Sequence, residues 1–175
     1  MSQPVIYATE AEACVAFDAA VASTGLFHIH REVRGTLTQP RPGQVDKTVR
    51  IDRILIPTQR LIDLGWRHGI VGVEIKRSGV KLGPALAQAM DYTRSTFTLE
   101  GGDFLIVPTW VLVWPAESGH GPLASLMAQN RVGTAESTRW AALSLRVGEA
   151  SLLHVARTGE VRIGSQSAGR KVGSR

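Results

Sequence analysis

The sequence predicts an α/β fold, and three observations carry that prediction. Helical and strand periodicities alternate along roughly the first 114 residues, and a β-rich stretch follows. Apolar and charged contents of 43% and 20% are globular values. The expected order is helix, three strands, helix, strand, then an appended region. At 175 residues the chain is one ordinary domain with room for a sizeable core. That domain is expected over 1–163, with a core over about 8–114 and a β-rich extension over about 115–163; a flexible basic tail is expected over 164–175.

The elements follow in order. Thr9-Glu10-Ala11-Glu12 is a capping-box pattern, with Thr9 as N-cap and Glu12 at the third helical position. The alanine-rich segment beyond it continues as a helix to about Ser23 and ends at Gly25. Its apolar row is Cys14, Phe17 and Val21; Glu10 extends the row by a turn and is expected to face inward, leaving Glu12 to the cap. Residues 27–37 alternate as a strand, with Phe27, Ile29 and Val33 on one face and His28, His30, Glu32 and Arg34 on the other. Residues 39–46 hold two prolines and a glycine and form a loop. A second strand covers 48–57, residues 58–68 fit either a short helical turn or a hairpin arm, and a third strand covers 70–76.

Gly83-Pro84 opens a second helix, proline suiting a first turn, and this helix runs to about Arg94. Leu86, Met90, Thr93 and Phe97 form its mostly apolar row. Residues 104–114 are expected as a central strand interrupted by Pro108. A short helix over 121–131 and short strands over 140–146, 151–157 and 160–163 complete the chain, the last two joined by Thr158-Gly159. Trp110, Trp114 and Trp140 are expected in the core, with stacking on nucleic-acid bases as the alternative.

Charge and cysteine content narrow the function classes. The net charge of +5 and pI of about 10 permit an acidic partner such as nucleic acid. The first 25 residues hold no Lys or Arg, whereas from Arg146 onward six Lys/Arg face two Glu, and the chain ends Gly-Arg-Lys-Val-Gly-Ser-Arg. The lone Cys14 excludes an intramolecular disulfide and a multi-cysteine zinc site. No apolar run approaches the ~20 residues that span a bilayer, and the N-terminus lacks a signal-peptide pattern, so a cytoplasmic location is expected.

The chemistry centres on Gly72-Val73-Glu74-Ile75-Lys76. Alternation puts Glu74 and Lys76 on one side of a buried strand, and burying two charges is costly unless something compensates for them. Asp52 lies 22 residues upstream on a strand that can pair with this one. Gln88 and Tyr92, spaced i, i+4, share a face of the following helix. Glu10 offers a further carboxylate. Hard divalent ions such as Mg²⁺ or Mn²⁺ take oxygen ligands, usually one or two carboxylates with water and phosphate oxygens. Asp52 and Glu74 are the expected metal ligands, with the Ile75 carbonyl as an extra one. Lys76 would orient the attacking water or stabilise developing negative charge. Gln88 and Tyr92 would hold the nucleophile, a metal-bound water or the substrate strand. Arg50, Arg53, Arg77 and Lys81 are the expected phosphate contacts.

Arg50-Ile51-Asp52-Arg53, Val73-Glu74-Ile75-Lys76 and Gln88-Ala89-Met90-Asp91-Tyr92 together resemble the PD-(D/E)XK nuclease superfamily, and the last looks like the Gln-x-x-x-Tyr motif of its RecB-like branch. His30-Arg31-Glu32-Val33 is similar to small phage-encoded members. The resemblance covers roughly 8–114. It implies a restriction-endonuclease-like α-β-β-β-α-β core around a mixed sheet, divalent-metal dependence, a DNA substrate in phage or mobile-element recombination, repair or processing, and a homodimer as a plausible assembly. The sequence departs from the pattern at Ile51, where many members carry proline, and either Glu10 or Glu12 matches the family's first-helix acid.

Two other readings compete. One is a non-catalytic nucleic-acid-binding protein on the same fold. The other is a zinc hydrolase using His28, His30 and Glu32, which share a strand face; zinc hydrolases use His₂Glu sets.

Overall fold

The computed structural model describes residues 5–40, 42–45, 47–99, 104–116 and 121–165. The first helix, α1 (Glu10–Thr24), starts where its capping box predicts. Thr9 Oγ1 accepts from the Glu12 N–H, and the Glu12 carboxylate accepts from the N–H groups of Ala8 and Thr9. Gly25, at φ 63°, ends the helix in the left-handed region that glycine adopts without strain.

The chain continues through β1 (Phe27–Leu37), β2 (Thr48–Pro57), α2 (Gln59–Asp63), β3 (Val71–Ile75) and α3 (Leu82–Tyr92). Then come β4 (Ser95–Thr98), β5 (Leu105–Ile106), β6 (Trp110–Trp114), α4 (Gly121–Gln129), β7 (Val132–Glu136), β8 (Ala141–Val147), β9 (Ala150–Ala156) and β10 (Val161–Ile163). The described strands form one mixed sheet in the order β10-β9-β8-β7-β6-β3-β2-β1-β4-β5. β3, β6 and β7 run parallel, linked by the crossover helices α3 and α4, and the other pairings are antiparallel. The expected order helix, three strands, helix, strand is present, with α2 inserted before β3 and the β4–β5 hairpin before β6. No helix among the described residues is long and apolar enough to cross a membrane.

Two apolar clusters cover the two sheet faces. Phe17 and Val21 of α1 pack with Leu55, Val73, Ile75 and Trp114, Phe17 meeting Trp114 edge-on at 5.2 Å. On the other face Leu86, Ala89 and Tyr92 of α3 pack with Ile51, Ile54, Phe97, Val111 and Val113. Each large apolar side chain sealed from water in this way contributes roughly 1.5–3 kcal/mol. Gly72 is a close approach: a Cβ there would stand 2.6 Å from Ile51 Cδ1. Ile51, in the position where the resemblance led one to look for proline, is fully buried across that glycine.

Simple alternation fails in β1. Phe27 and Ile29 pack on the α1 side as expected, but Val33 and Leu37 belong to the α3-side cluster. The inversion occurs at Glu32, whose φ of 51° is uncommon for a side-chain-bearing residue. β2 turns over at the same level: Arg53 and Leu55 face α1, whereas Val49 and Ile51 face α3. The register Arg31↔Arg53 and Val33↔Ile51 sets Glu32 opposite Asp52, so both strands invert at one point.

Other expectations are corrected as well. Pro108, which has no N–H for a ladder, separates 104–114 into β5 at the sheet edge and β6 near its centre. α3 ends at Tyr92, so Phe97 reaches its buried position from β4 rather than from the helix. Of the two readings of 58–68 the helical turn holds, as α2 over Gln59–Asp63, capped by Thr58. Trp114 is buried and Trp110 half-buried, but Trp140 is exposed at a turn, so it is not a core residue. β7 and the β4–β5 hairpin have no counterpart in the sequence reading. Residues 166–175, most of the expected tail, lie outside the described residues.

Candidate functional site

β3 builds the centre of the site. Val71, Val73 and Ile75 enter the α1-side cluster, which turns Glu74 to the opposite face, where it is 1% exposed. Lys76 follows the strand end; its backbone N–H donates to the Trp114 carbonyl at 2.8 Å, and its ammonium contacts Glu74 Oε1. The predicted same-side placement of Glu74 and Lys76 is what the structure has.

Asp52 reaches this pair from the neighbouring strand. The register Arg53↔Val73 and Ile54↔Gly72, extended by one residue, puts Asp52 opposite Glu74. There the side chain replaces the ladder: Asp52 Oδ2 accepts from the Ile75 N–H at 2.7 Å. A strand residue presents its N–H and C=O toward the same edge, so the Ile75 carbonyl also faces Asp52. Glu32, Asp52 and Glu74 thus form one row across β1, β2 and β3.

The electrostatics are those of crowded, poorly hydrated carboxylates. Burial, and then the charge of Asp52, push Glu74 up to about 7 despite its contact with Lys76. Burial also raises Asp52, against the Ile75 N–H and the Lys76 charge. Burial disfavours the Lys76 ammonium, but the bond to Glu74 and the charges of Glu74, Glu10 and Asp52 outweigh it, so Lys76 lies above an ordinary lysine. Glu74 Oε2 is buried with no hydrogen-bond partner. Such an atom costs free energy unless a cation or donor joins it.

Glu10 lies on the helix face of the buried row, as expected, but is exposed rather than buried. The buried row of α1 is Ala13, Phe17 and Val21, and Glu10 is exposed in the first turn. Glu10 continues that row by one turn, but as the first residue of α1 it stands beyond the packed segment. Its charge is nevertheless felt by Asp52 and Lys76. Glu12 is the cap.

Gln88 and Tyr92 meet as their spacing predicts, and the Tyr92 hydroxyl bonds a backbone carbonyl while also interacting with the Glu74 carboxylate. Tyr92, 2% exposed, donates its hydroxyl to the Arg50 carbonyl at 2.6 Å, and Gln88 Nε2 donates to Tyr92 Oη at 2.6 Å. Burial and the Glu74 charge hold the Tyr92 hydroxyl far above the ordinary tyrosine range, so it remains a proton donor. The pair is a strut from α3 to β2, two residues before Asp52.

The expected phosphate contacts divide. Arg53 is buried, with its side chain 6% exposed, and bonds Asp18 from Nε at 2.7 Å and from Nη2 at 3.3 Å. The inversion at Asp52 turns it toward α1, so it is a structural arginine rather than a surface one. Arg50 is exposed and pairs with Glu32 at 3.0 Å. Arg77 and Lys81 are exposed between β3 and α3.

The proposed zinc set is not assembled. His28 is exposed, His30 half-buried, and Glu32 turns its carboxylate to Arg50 and, at 3.9 Å, toward Arg53. Among the described residues no three of His, Cys, Asp and Glu converge as a ready-made metal cage. The donor set around Glu74 still suits Mg²⁺, which commonly takes only one or two carboxylates and keeps water and substrate oxygens. The orphaned Glu74 Oε2 is the atom that fits such an ion.

Away from the carboxylates, a cavity of about 410 Å³ is lined by Ser144, Arg146, Ser151, His154 and Arg162. No spacing in the sequence singles these residues out; the pairings Ser144↔His154, Arg146↔Ser151 and Arg162↔His154 bring them together. No protein-family model, curated protein or solved structure matches this chain.

Proposed function

We propose that this chain is a divalent-metal-dependent deoxyribonuclease built on a restriction-endonuclease-like core, hydrolysing phosphodiester bonds in phage or mobile-element recombination, repair or processing. The observation that carries the reading is the buried, unpartnered Oε2 of Glu74 beside Asp52 and Lys76. The helix, three-strand, helix, strand order around a mixed sheet supports it.

Asp52 and Glu74 would hold Mg²⁺ or Mn²⁺, with the Ile75 carbonyl on the same edge. When bound, the ion polarises the phosphoryl oxygen and lowers the pKa of a bound water. Lys76, kept protonated by Glu74, Glu10 and Asp52, places a positive charge where the phosphate gains negative charge. The Tyr92–Gln88 strut holds β2, and with it Asp52, against α3. Glu10 adds negative charge at the margin. Arg77 and Lys81 offer exposed positive charge to the DNA backbone. A homodimer would present two such sites for cutting both strands.

The test is incubation of purified protein with linear, circular, single-stranded and branched DNA, with Mg²⁺, with Mn²⁺ and with chelator. Cleavage is expected with either ion and none with chelator. Undiminished cleavage by Glu74→Gln and Lys76→Ala overturns the assignment. A second reading, a non-catalytic nucleic-acid-binding protein, is favoured by the Arg146–His154–Arg162 cavity lying outside the carboxylate site. It predicts salt-sensitive DNA binding without cleavage under any ion.

A further inference from the structure

The turn between β7 and β8 presents a tryptophan that neither the core nor the carboxylate site uses. Trp140 is 71% exposed, and the Arg139 guanidinium carbon lies 4.6 Å from its ring centroid. The turn is firmly braced. The Thr138 N–H donates to the Ala141 carbonyl at 2.9 Å, and Thr138 Oγ1 accepts from the N–H groups of Trp140 and Ala141 at 3.2 and 3.0 Å. Arg157 bonds the Thr138 carbonyl at 2.8 Å and Ser137 Oγ at 3.3 Å, and its backbone N–H donates to the Trp140 carbonyl at 3.1 Å. An aromatic ring on so rigid a mount loses little conformational entropy when something stacks on it.

Its location matters as much as its exposure. β3, β6 and β7 are parallel, so their C-terminal ends share one end of the sheet. Ile75 pairs with Trp114, and the Ala116 N–H donates to the Ala135 carbonyl. Lys76 and the β7–β8 turn therefore emerge at the same end; Trp140, just before β8, is three strands from β3, or roughly 15 Å across the sheet at the usual strand spacing, and stands beyond the level of Ile75. Exposed Arg77, Arg139 and Arg157 stand at that end, with Glu136 and Glu160 nearby.

We propose that Trp140 and Arg139 form a stacking platform for an unpaired nucleic-acid base, which makes single-stranded DNA the class of substrate presented to the carboxylate site. The platform stands on the turn's own geometry; only its link to cleavage rests on the nuclease reading above. The cation–π contact lies over the indole, and with Trp140 71% exposed, ring surface remains open to a base. Every base has a π-face, so the platform is tolerant of sequence, whereas a duplex keeps its bases stacked on each other. Loss of one such contact weakens binding roughly 5- to 140-fold.

The test is tryptophan fluorescence of the full chain in chelator, titrated with a single-stranded oligodeoxynucleotide, the matching duplex and the matching RNA. The single-stranded DNA is expected to quench emission and to bind at least about 5-fold more tightly than the duplex. Trp140→Ala should lose the quenching and the preference, and Trp140→Phe should keep part of the affinity, both with an unchanged unfolding midpoint. Equal quenching by single-stranded RNA supports the platform, since stacking does not read the sugar. Absence of quenching, equal binding of duplex, or wild-type binding by Trp140→Ala overturns it. Stacking without cleavage under any ion would leave the platform standing and remove the nuclease reading, so the two fail separately.

Discussion

Two ion pairs flank the same stretch of β2 on opposite sheet faces, and they are built differently. On the α1 face Arg53 meets Asp18, which also takes Arg31 at 2.7 Å; bonds from two arginines pull Asp18 below the usual carboxylate range although burial opposes them. On the α3 face Glu74 meets Lys76, yet Oε2 has no partner and the carboxyl is pushed up to about 7. The first pair is satisfied and serves the fold. The second is unsatisfied, at the place where Asp52, Glu74 and Lys76 converge; among the described residues Trp114 Nε1 is also buried without a partner. A buried carboxylate oxygen without a partner, beside a second carboxylate and a lysine, is what the proposed metal site rests on.

The largest effect should come from breaking the satisfied pair. Asp18→Ala leaves Arg53 buried without its carboxylate, and chemical denaturation should show a loss of about 3–5 kcal/mol. A loss near zero would mean that Arg53 swings out to solvent, and the contrast between the two pairs would collapse. Breaking the unsatisfied pair should do the reverse. Glu74→Gln is expected to lower metal-dependent cleavage by roughly 10²–10³-fold while the unfolding midpoint without metal stays level or rises.

The pairs should also respond oppositely to pH. Glu74 in the folded protein, at about 7, lies above its ordinary value of 4.5, so the folded state holds that proton longer. Its contribution to stability is full below about 4.5 and is lost as pH rises through 7, by about 3 kcal/mol. Asp18 is depressed, so its contribution is present above the ordinary range and is lost on acidification. Denaturation in chelator from pH 5 to 8 should therefore lose stability in wild type and flatten in Glu74→Gln; an equal slope in both would remove Glu74 as its source. The smallest effect is expected from Tyr92→Phe, which keeps the ring against Phe97 but releases the Arg50 carbonyl. It should cost about 1 kcal/mol, and a metal requirement unchanged by the substitution would confirm a strut rather than a ligand.

Much of the site is visible in the chain because it is local. The i, i+2 spacing of Glu74 and Lys76 puts them on one side of a strand, and the i, i+4 spacing of Gln88 and Tyr92 puts them on one face of a helix. Asp52 could be named from its place on an adjacent strand. Its partner could not, because that depends on where the β2–β3 ladder ends and a side chain takes over from the backbone. Arg53 misled for a similar reason: alternation projects one face along the whole strand, but β1 and β2 turn over together at Glu32 and Asp52. Trp140 misled because hydrophobicity suggests burial, whereas the hydrogen bonds of the β7–β8 turn hold it out.

The sequence by itself determined the elements whose signals are contained within a few residues: the Thr9–Glu12 cap, the Gly25 stop, the β3 alternation and the Glu74–Lys76 pairing. These rest on hydrogen bonds and periodicities that neighbouring residues satisfy alone. Only the tertiary structure decided which arginine is buried, that Glu32 stands level with Asp52 and Glu74, and that Glu74 Oε2 is left without a donor. Those outcomes depend on register and on the sheet face each side chain meets, both of which are set by packing between segments far apart in the chain.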